Sequence, residues 1–279
     1  MPNVLPLEDT FGDIVKKAMR GTGTGAGSAQ LARATGIPAE TIEQWLKDEG
    51  AATDEQARAL ATVLALDGGK LADSAAQRWH PPLIERPDVR RHSQDPQPSN
   101  GYVFFLEQGR RAALVDPAGL PQNLLRVLRE GDYHLQYVLI THKHADHCDA
   151  TAEVARAFPQ AQIVMHSLDV HAIGPLAKNA LLLRDGETLP FGDDAAIRML
   201  HTPGHTDGSS SFLFRGSLFS GDTLFAASVG GAYGDNSTYG DILNSVRSKF
   251  FTLPDDTVVM PGHGPPSTIA LEKQHNPFF

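Results

Sequence analysis

The sequence is short of cysteine, of positive charge and of long apolar runs. Its single cysteine, Cys148, excludes an intrachain disulfide framework and favours a reducing compartment. No apolar run is long enough to cross a bilayer, and the N-terminus has no basic stretch before an apolar core. We therefore expect a cytoplasmic protein with no membrane partner. The 24 lysine and arginine residues against 33 aspartate and glutamate residues disfavour a polyanionic partner such as nucleic acid.

Three regions differ in their residue pattern. In residues 1–80 apolar side chains recur at helical spacing, which predicts a small all-helical domain. Residues 81–99 are rich in proline and predict a linker that passes into a first edge strand. In residues 100–279 strands and helices alternate, which predicts a catalytic domain of the α/β class. Strands are predicted at 103–106, 112–115, 137–141, 162–165, 196–200, 211–214, 217–220 and 257–260, and helices at 120–129, 150–158 and 240–251.

Within the helical region, residues 30–45 resemble a helix-turn-helix of the phage-repressor type. Gly36 falls in the turn, and the helix after Pro38 takes the recognition position. That helix is acidic, with Glu40 and Glu43 on it, so it would repel phosphate. We therefore expect a module that is used for packing or for forming a homodimer. We also expect it to cover the mouth of the functional site, either by itself or by building a dimer that covers it. A DNA-binding regulator that senses a small molecule is the alternative.

Glycines in the helical region predict a flexible joint at one place and the end of a helix at another. The glycine-rich run at 21–27 has no strand before it, so it predicts a flexible joint and not a dinucleotide-binding turn. Gly68 and Gly69 predict the end of a helix.

A dense cluster of metal-binding residue types follows the predicted strand 137–141. His142, His144 and His147 lie within six positions together with Asp146. Neutral imidazole is the commonest protein ligand for zinc and similar ions, and such a cluster is hard to explain by packing. The segment therefore predicts a metal site.

Three later segments complete the cluster, each just after a predicted strand in a glycine-rich turn. They contribute His205, Asp222 and His263. Seven ligand groups are too many for one tetrahedral zinc ion and suit two divalent ions that share a bridging group. Zinc is the expected metal, and iron or manganese also suits histidine and aspartate ligands.

In that order, the motifs H-x-H-x-D-H, T-P-G-H-T, G-D-T and G-H-G resemble the metallo-β-lactamase superfamily over residues 83–279. Within it, the closing segment is similar to short bacterial glyoxalase II-like hydrolases. The resemblance implies an αββα sandwich, preceded here by the helical domain. It implies that His142, His144 and His205 hold one metal, that Asp146, His147 and His263 hold the second, and that Asp222 bridges both. It also implies that Asp116 supports the site from outside the ligand set.

The expected reaction is hydrolysis of a small-molecule thioester, ester or lactone. Two ions lower the pKa of a shared water, so a metal-bridged hydroxide forms at neutral pH, and Asp146 serves as the catalytic proton carrier. A mononuclear iron persulfide dioxygenase is the alternative in another reaction class. Short relatives often carry an arginine where this chain has Gly231, and we expect Tyr233, Asn236 and Tyr239 to line the pocket instead.

Overall fold

The computed structural model describes residues 6–21, 27–94, 99–119, 122–233 and 236–279. Within these ranges no helix is both long enough and apolar enough to span a membrane. The joint predicted at 21–27 lies outside the described residues except for Gly21 and Gly27.

Helices account for the regular structure of the N-terminal region, as the apolar spacing predicted. They are α1 (Phe11–Gly21), α2 (Ser28–Thr35), α3 (Ala39–Trp45), α4 (Asp54–Leu64) and α5 (Gly68–Ala75). Gly36 ends α2 in the left-handed region with φ 75°. A reciprocal pair of hydrogen bonds between Thr53 and Gln56 caps the start of α4. The α2–α3 pair lies where the helix-turn-helix was predicted, and its use in DNA binding stays a prediction.

The remainder of the chain forms two six-stranded mixed sheets. The first contains β1 (Val89–Gln94), β2 (Ser99–Leu106), β3 (Arg111–Val115), β4 (His134–Leu139), β5 (Gln162–Met165) and β6 (Leu181–Leu182), side by side in that order. From β3 to β6 the strands are parallel. The first edge strand, expected within 81–99, is β1.

The second sheet is built from the C-terminal half. Its strands are β7 (Thr188–Pro190), β8 (Ala196–His201), β9 (Ser210–Phe214), β10 (Ser217–Gly221), β13 (Val258–Pro261) and β14 (Ser267–Thr268). They lie in the order β14-β13-β10-β9-β8-β7, with β10 and β13 parallel. A separate hairpin of β11 (Leu224–Phe225) and β12 (Ser228–Val229) follows β10.

Alternating side chains place the two sheets face to face. Phe104 points to the inner core, where Phe191, Phe214 and Phe219 surround its ring. Its neighbours Val103 and Phe105 point to the other face, which helices cover. The helices on that face are α6 (Gln122–Glu130), α7 (Ala145–Cys148), α8 (Thr151–Ala157) and a 3₁₀ segment, Val170–Asn179.

The outer face of the second sheet packs against the N-terminal helices. Leu31, Leu60 and Leu71 belong to the same buried cluster as Leu218 and Val259 of the sheet. Two C-terminal helices, α9 (Tyr239–Ser245, continued by a π turn, Val246–Phe250) and α10 (Ile269–His275), join this layer. The result is the predicted αββα sandwich preceded by a helical domain.

One local prediction was wrong, and two others differ in detail or lie outside the described residues. Gly68 and Gly69 begin α5 instead of ending a helix, because the Asp67 side chain accepts a hydrogen bond from Lys70 N at 2.9 Å and caps the helix start. The long helix predicted at 240–251 changes from α to π geometry at Val246. The predicted start of α6, Leu120, lies outside the described residues.

Candidate metal centre

The seven predicted ligands come together at one edge of the sandwich. Parallel strands β3 and β4 end side by side there, and so do β10 and β13. Because the carboxyl ends of parallel strands meet at the same edge of a sheet, the loops that follow them converge. His142, His144, Asp146 and His147 follow β4, Asp222 follows β10 and His263 follows β13. His205 lies in the turn between β8 and β9.

One group consists of three imidazoles. The Nε2 atom of His205 lies 3.2 Å from Nε2 of His142 and 2.8 Å from Nδ1 of His144. His142 and His205 are buried, and His144 is half-buried. Three neutral ring nitrogens at this spacing are the arrangement expected of a site for a cation.

A second group consists of Asp146, His147 and His263. Oδ2 of Asp146 lies 3.5 Å from Nε2 of His147 and 3.4 Å from Nε2 of His263. Asp222 lies between the two groups: its Oδ1 is 3.3 Å from His147 Nε2, and its Oδ2 is 3.4 Å from His205 Nε2. Oδ1 of Asp222 is buried and has no hydrogen-bond partner in the described structure, so this oxygen is available to a cation.

Two glycines make room for Asp222. A Cβ atom at Gly262 would lie 2.2 Å from Asp222 Oδ1, and one at Gly230 would lie 1.7 Å from the Asp222 carbonyl oxygen. A side chain at Gly262 would displace the central carboxylate, and one at Gly230 would clash with the backbone carbonyl of Asp222. Here the backbone itself approaches the site closely, which only glycine allows.

The electrostatics of the two groups differ. Burial lowers the pKa of His142 well below its ordinary value and lowers that of His205 to about 4, so both rings are neutral. Burial also acts to lower the pKa of His147, but the charges of Asp222 and Asp116 outweigh it and raise that pKa to about 9. A cation that binds His147 must therefore displace a proton.

Hydrogen bonds outside the ligand set orient the rings. Asp116 accepts from the Thr141 backbone N–H and hydroxyl, both at 2.7 Å, and pairs with His147 Nδ1 at 3.0 Å. His205 Nδ1 donates to the Gly231 carbonyl at 2.6 Å. Each bond leaves the opposite ring nitrogen, Nε2, directed at the centre. The structure thus gives Asp116 the contacts that its predicted supporting role requires.

Replacing Asp116 tests this role. Asp116→Asn keeps the shape but loses the charge that orients His147, so we expect zinc affinity to fall roughly 10- to 100-fold. A competition titration against a chromophoric chelator measures it. Asp132→Asn is the matched control, because Asp132 has a similar φ of 50°, against 52° for Asp116, but is exposed away from the site. Equal zinc affinity in the two variants would contradict the role.

Sequence reasoning missed two residues that hold the site together. Asp169 is fully buried after β5 and accepts from Lys143 N at 3.1 Å and from Thr206 Oγ1 at 2.5 Å, so it ties the first ligand loop to that of His205. Asn100 donates to the carbonyls of Pro261 and Gly264 at 3.0 and 2.9 Å and holds the His263 loop. A carboxylate after a parallel strand could have indicated Asp169, whereas nothing in the proline-rich surroundings of Asn100 marks it.

Another buried carboxyl, Glu272, supports the hairpin next to Asp222. It accepts hydrogen bonds from Ala227 N at 3.0 Å and Asn276 Nδ2 at 2.8 Å. Burial raises the pKa of Glu272 from 4.5 to about 7. The folded protein therefore keeps a proton that the unfolded chain releases, and this carboxyl makes the free energy of unfolding fall as pH rises from about 4.5 to 7.

Glu272→Gln should remove that part of the pH dependence. Between pH 4.5 and pH 8, we expect the stability of the variant relative to the wild type to rise by up to about 3 kcal/mol. Urea unfolding of both proteins at the two pH values measures the difference. The exposed Glu49→Gln variant is the control and should follow the wild type. A pH dependence that survives in Glu272→Gln would show that Glu272 does not cause it.

Only some of the other residues singled out in the sequence line the cavities near the ligands. Tyr233 lines the cavity above the ligands, with its ring centroid 5.6 Å from that of His205. Tyr239 lines an adjoining cavity, whereas Asn236 binds Asp207 at 3.1 Å and does not line either one. Cys148 is buried, and burial raises its pKa to about 12, which makes it an unreactive thiol.

Comparison with known proteins agrees with this geometry. A hydroxyacylglutathione hydrolase of Tolumonas auensis is 31% identical over 169 residues, which are 60% of this chain and 63% of that enzyme. The chain thus spans less than two thirds of that enzyme's length. Hydroxyacylglutathione hydrolase GloC of Haemophilus influenzae is 30% identical over 192 residues, 63% of this chain and 90% of that one.

A solved structure is similar to this chain in fold and in sequence. TTHA1623 in a di-iron-bound form superposes with a TM-score of 0.59 at 29% identity, over 68% of this chain and all of that one. The sequence profile of the metallo-beta-lactamase superfamily matches residues 96–263, a stretch that contains all seven converging side chains. The predicted resemblance is confirmed, and the chain belongs to the metallo-beta-lactamase superfamily.

Proposed function

We propose that the protein is a dinuclear metal-dependent hydrolase of small thioesters, esters or lactones, with hydroxyacylglutathione thioesters as the first candidates. The observation that carries this proposal is the pair of ligand groups that share Asp222 at one end of a cavity of about 480 Å³. The relatives named hydroxyacylglutathione hydrolase support the substrate class.

The residues fit two cations. His142, His144 and His205 would hold the first, and Asp146, His147 and His263 the second, with Asp222 between them. Two divalent ions would polarise an acyl carbonyl and activate water at neutral pH. Histidine and carboxylate ligands suit zinc, and the di-iron-bound relative supports iron as the other candidate.

Asp146 is the side chain best placed to move a proton. It is half-buried and lines the cavity. Burial acts to raise its pKa, but the hydrogen bond from His263 and the charge of His147 lower it to about 2, so the carboxylate is ionised at neutral pH. It can accept a hydrogen bond from the attacking water, take up the proton that this water releases and pass that proton to the leaving group. Tyr233 lines the same cavity, with its ring centroid 5.6 Å from that of His205.

Elemental analysis followed by a hydrolysis panel tests the proposal. We expect about two divalent ions per chain and turnover of S-lactoylglutathione or a lactone by the loaded protein. One iron per chain with oxygen uptake on a persulfide would contradict hydrolysis and favour the dioxygenase. A protein with two ions that cleaves no thioester, ester or lactone would refute the proposed reaction while leaving the metal site intact.

A further inference from the structure

One wall of the metal-site cavity comes from the N-terminal region and not from the β-sandwich. Lys17 and Arg20 of α1 line this cavity together with His144 and His205. Glu8, in the segment that precedes α1, lies with its Oε1 3.7 Å from Nδ1 of His263. The helical domain therefore borders the space in which a substrate would sit.

Close packing holds α1 in this position. The Lys17 ammonium donates to the Val229 carbonyl at 2.7 Å. Gly12 lies so close to α3 that a Cβ there would be 2.2 Å from the Trp45 carbonyl oxygen. At the other end of the helix, a Cβ at Gly21 would lie 2.0 Å from the Tyr239 ring. These contacts hold α1 in place at both of its ends and in its middle.

A second cavity continues from the first. It has a volume of about 340 Å³ and shares Lys17, Arg20 and Gly231 with the metal-site cavity. Its far side is formed by Ser237 and Tyr239. A molecule with its reacting carbonyl at the metal ligands could therefore extend past Arg20 into this second space.

The charged groups along the cleft are paired, with one exception. Asp9 binds Lys17 and Ser228, and Asp13 binds Lys16 at 2.8 Å. The Arg20 guanidinium is exposed, and within the described part of the chain no ion pair or hydrogen bond engages it. In the same part, the buried Ser237 Oγ atom also lacks a hydrogen-bond partner.

We propose that Arg20 and Ser237 form a subsite for a carboxylate on the leaving group, so that the enzyme prefers thioesters of carboxylate-bearing thiols. This inference rests on the proposed hydrolase function. A guanidinium binds a carboxylate through two parallel hydrogen bonds, and a hydroxyl adds a third donor. The subsite takes its cation from the helical domain, in the part of the cleft that Gly231 also lines.

Binding of a stable probe tests the subsite without turnover. S-Methylglutathione is a thioether with free carboxylates, and its diethyl ester lacks their charge. In the metal-loaded wild type we expect the free acid to bind about tenfold more tightly than the diester, measured by calorimetry. In Arg20→Gln the ratio of the two dissociation constants should fall to near one. In Ser237→Ala it should fall to a value between that ratio and the wild-type ratio.

The control is Arg33→Gln, which removes an exposed arginine of α2 that lines neither cavity and should keep the wild-type ratio. Equal metal content in all variants confirms an intact metal site. Failure of the wild type to prefer the free acid, or a preference that persists in Arg20→Gln, overturns the subsite. An Arg20-dependent preference with no hydrolysis of any thioester, ester or lactone in the panel refutes the proposed function and leaves the subsite standing.

Discussion

Asp222→Ala is expected to abolish nearly all turnover. The carboxylate is buried, faces both ligand groups and has no other partner for Oδ1 in the described structure. Its loss would remove the proposed shared ligand, and a metal pair would supply several kcal/mol of transition-state stabilisation, so kcat/KM should fall on the order of a thousandfold. Metal content should fall below two ions per chain, as measured by elemental analysis beside the hydrolysis assay.

The control for this variant is Asp255→Ala, which changes an exposed aspartate that pairs with Lys273 far from the ligand loops. It should keep both metal content and rate. Circular dichroism of Asp222→Ala should match that of the wild type, because the sandwich core does not depend on this side chain. A folded Asp222→Ala protein with near-normal kcat/KM and two ions would refute the bridging role.

Asp146→Asn should separate proton transfer from binding. The amide keeps the size of the side chain but cannot carry a proton to the leaving group, so we expect kcat to fall by roughly 10²- to 10⁴-fold. The first ion, held by the three imidazoles, should remain, while the ion at the second group binds more weakly. Rates measured at saturating metal distinguish the lost proton carrier from a lost ion.

The matched control residue is the aspartate that directly follows α7, the short helix that contains Asp146. Asp149 is exposed and accepts a hydrogen bond from Gly119 N at 2.9 Å, and it lines no part of the metal-site cavity. Asp149→Asn should leave kcat within about twofold of the wild type, since surface changes are usually small. If Asp146→Asn at saturating metal matched this control, Asp146 would be a ligand only.

The convergence of the seven side chains was predictable because they are chemically distinctive and follow strands. His142, His144 and His147 stand in one short segment after β4, and their type alone indicates a metal. The strands themselves were predicted from short segments such as the apolar run at 137–140, and their ends differ from prediction by a few residues, as at β4, which ends at Leu139 instead of Thr141.

The supporting residues were harder to find, because an isolated polar residue has no pattern of its own. Asp169 and Asn100 each act by bridging loops that are distant along the chain. Only the folded chain shows which backbone groups they reach. The same holds for Glu272, whose burial depends on the hairpin that packs over it.

The order and type of seven side chains along the sequence determined the resemblance to the metallo-β-lactamase superfamily, and that resemblance implied the αββα sandwich and a metal centre, since ligand chemistry is a local property of the sequence. The tertiary structure alone decided what borders the centre. The apolar faces of α1 to α5 could have packed anywhere, and their burial against the second sheet places Arg20 beside the ligands. Hydrophobic burial has no direction of its own, so the shape of both surfaces determines where a helix packs.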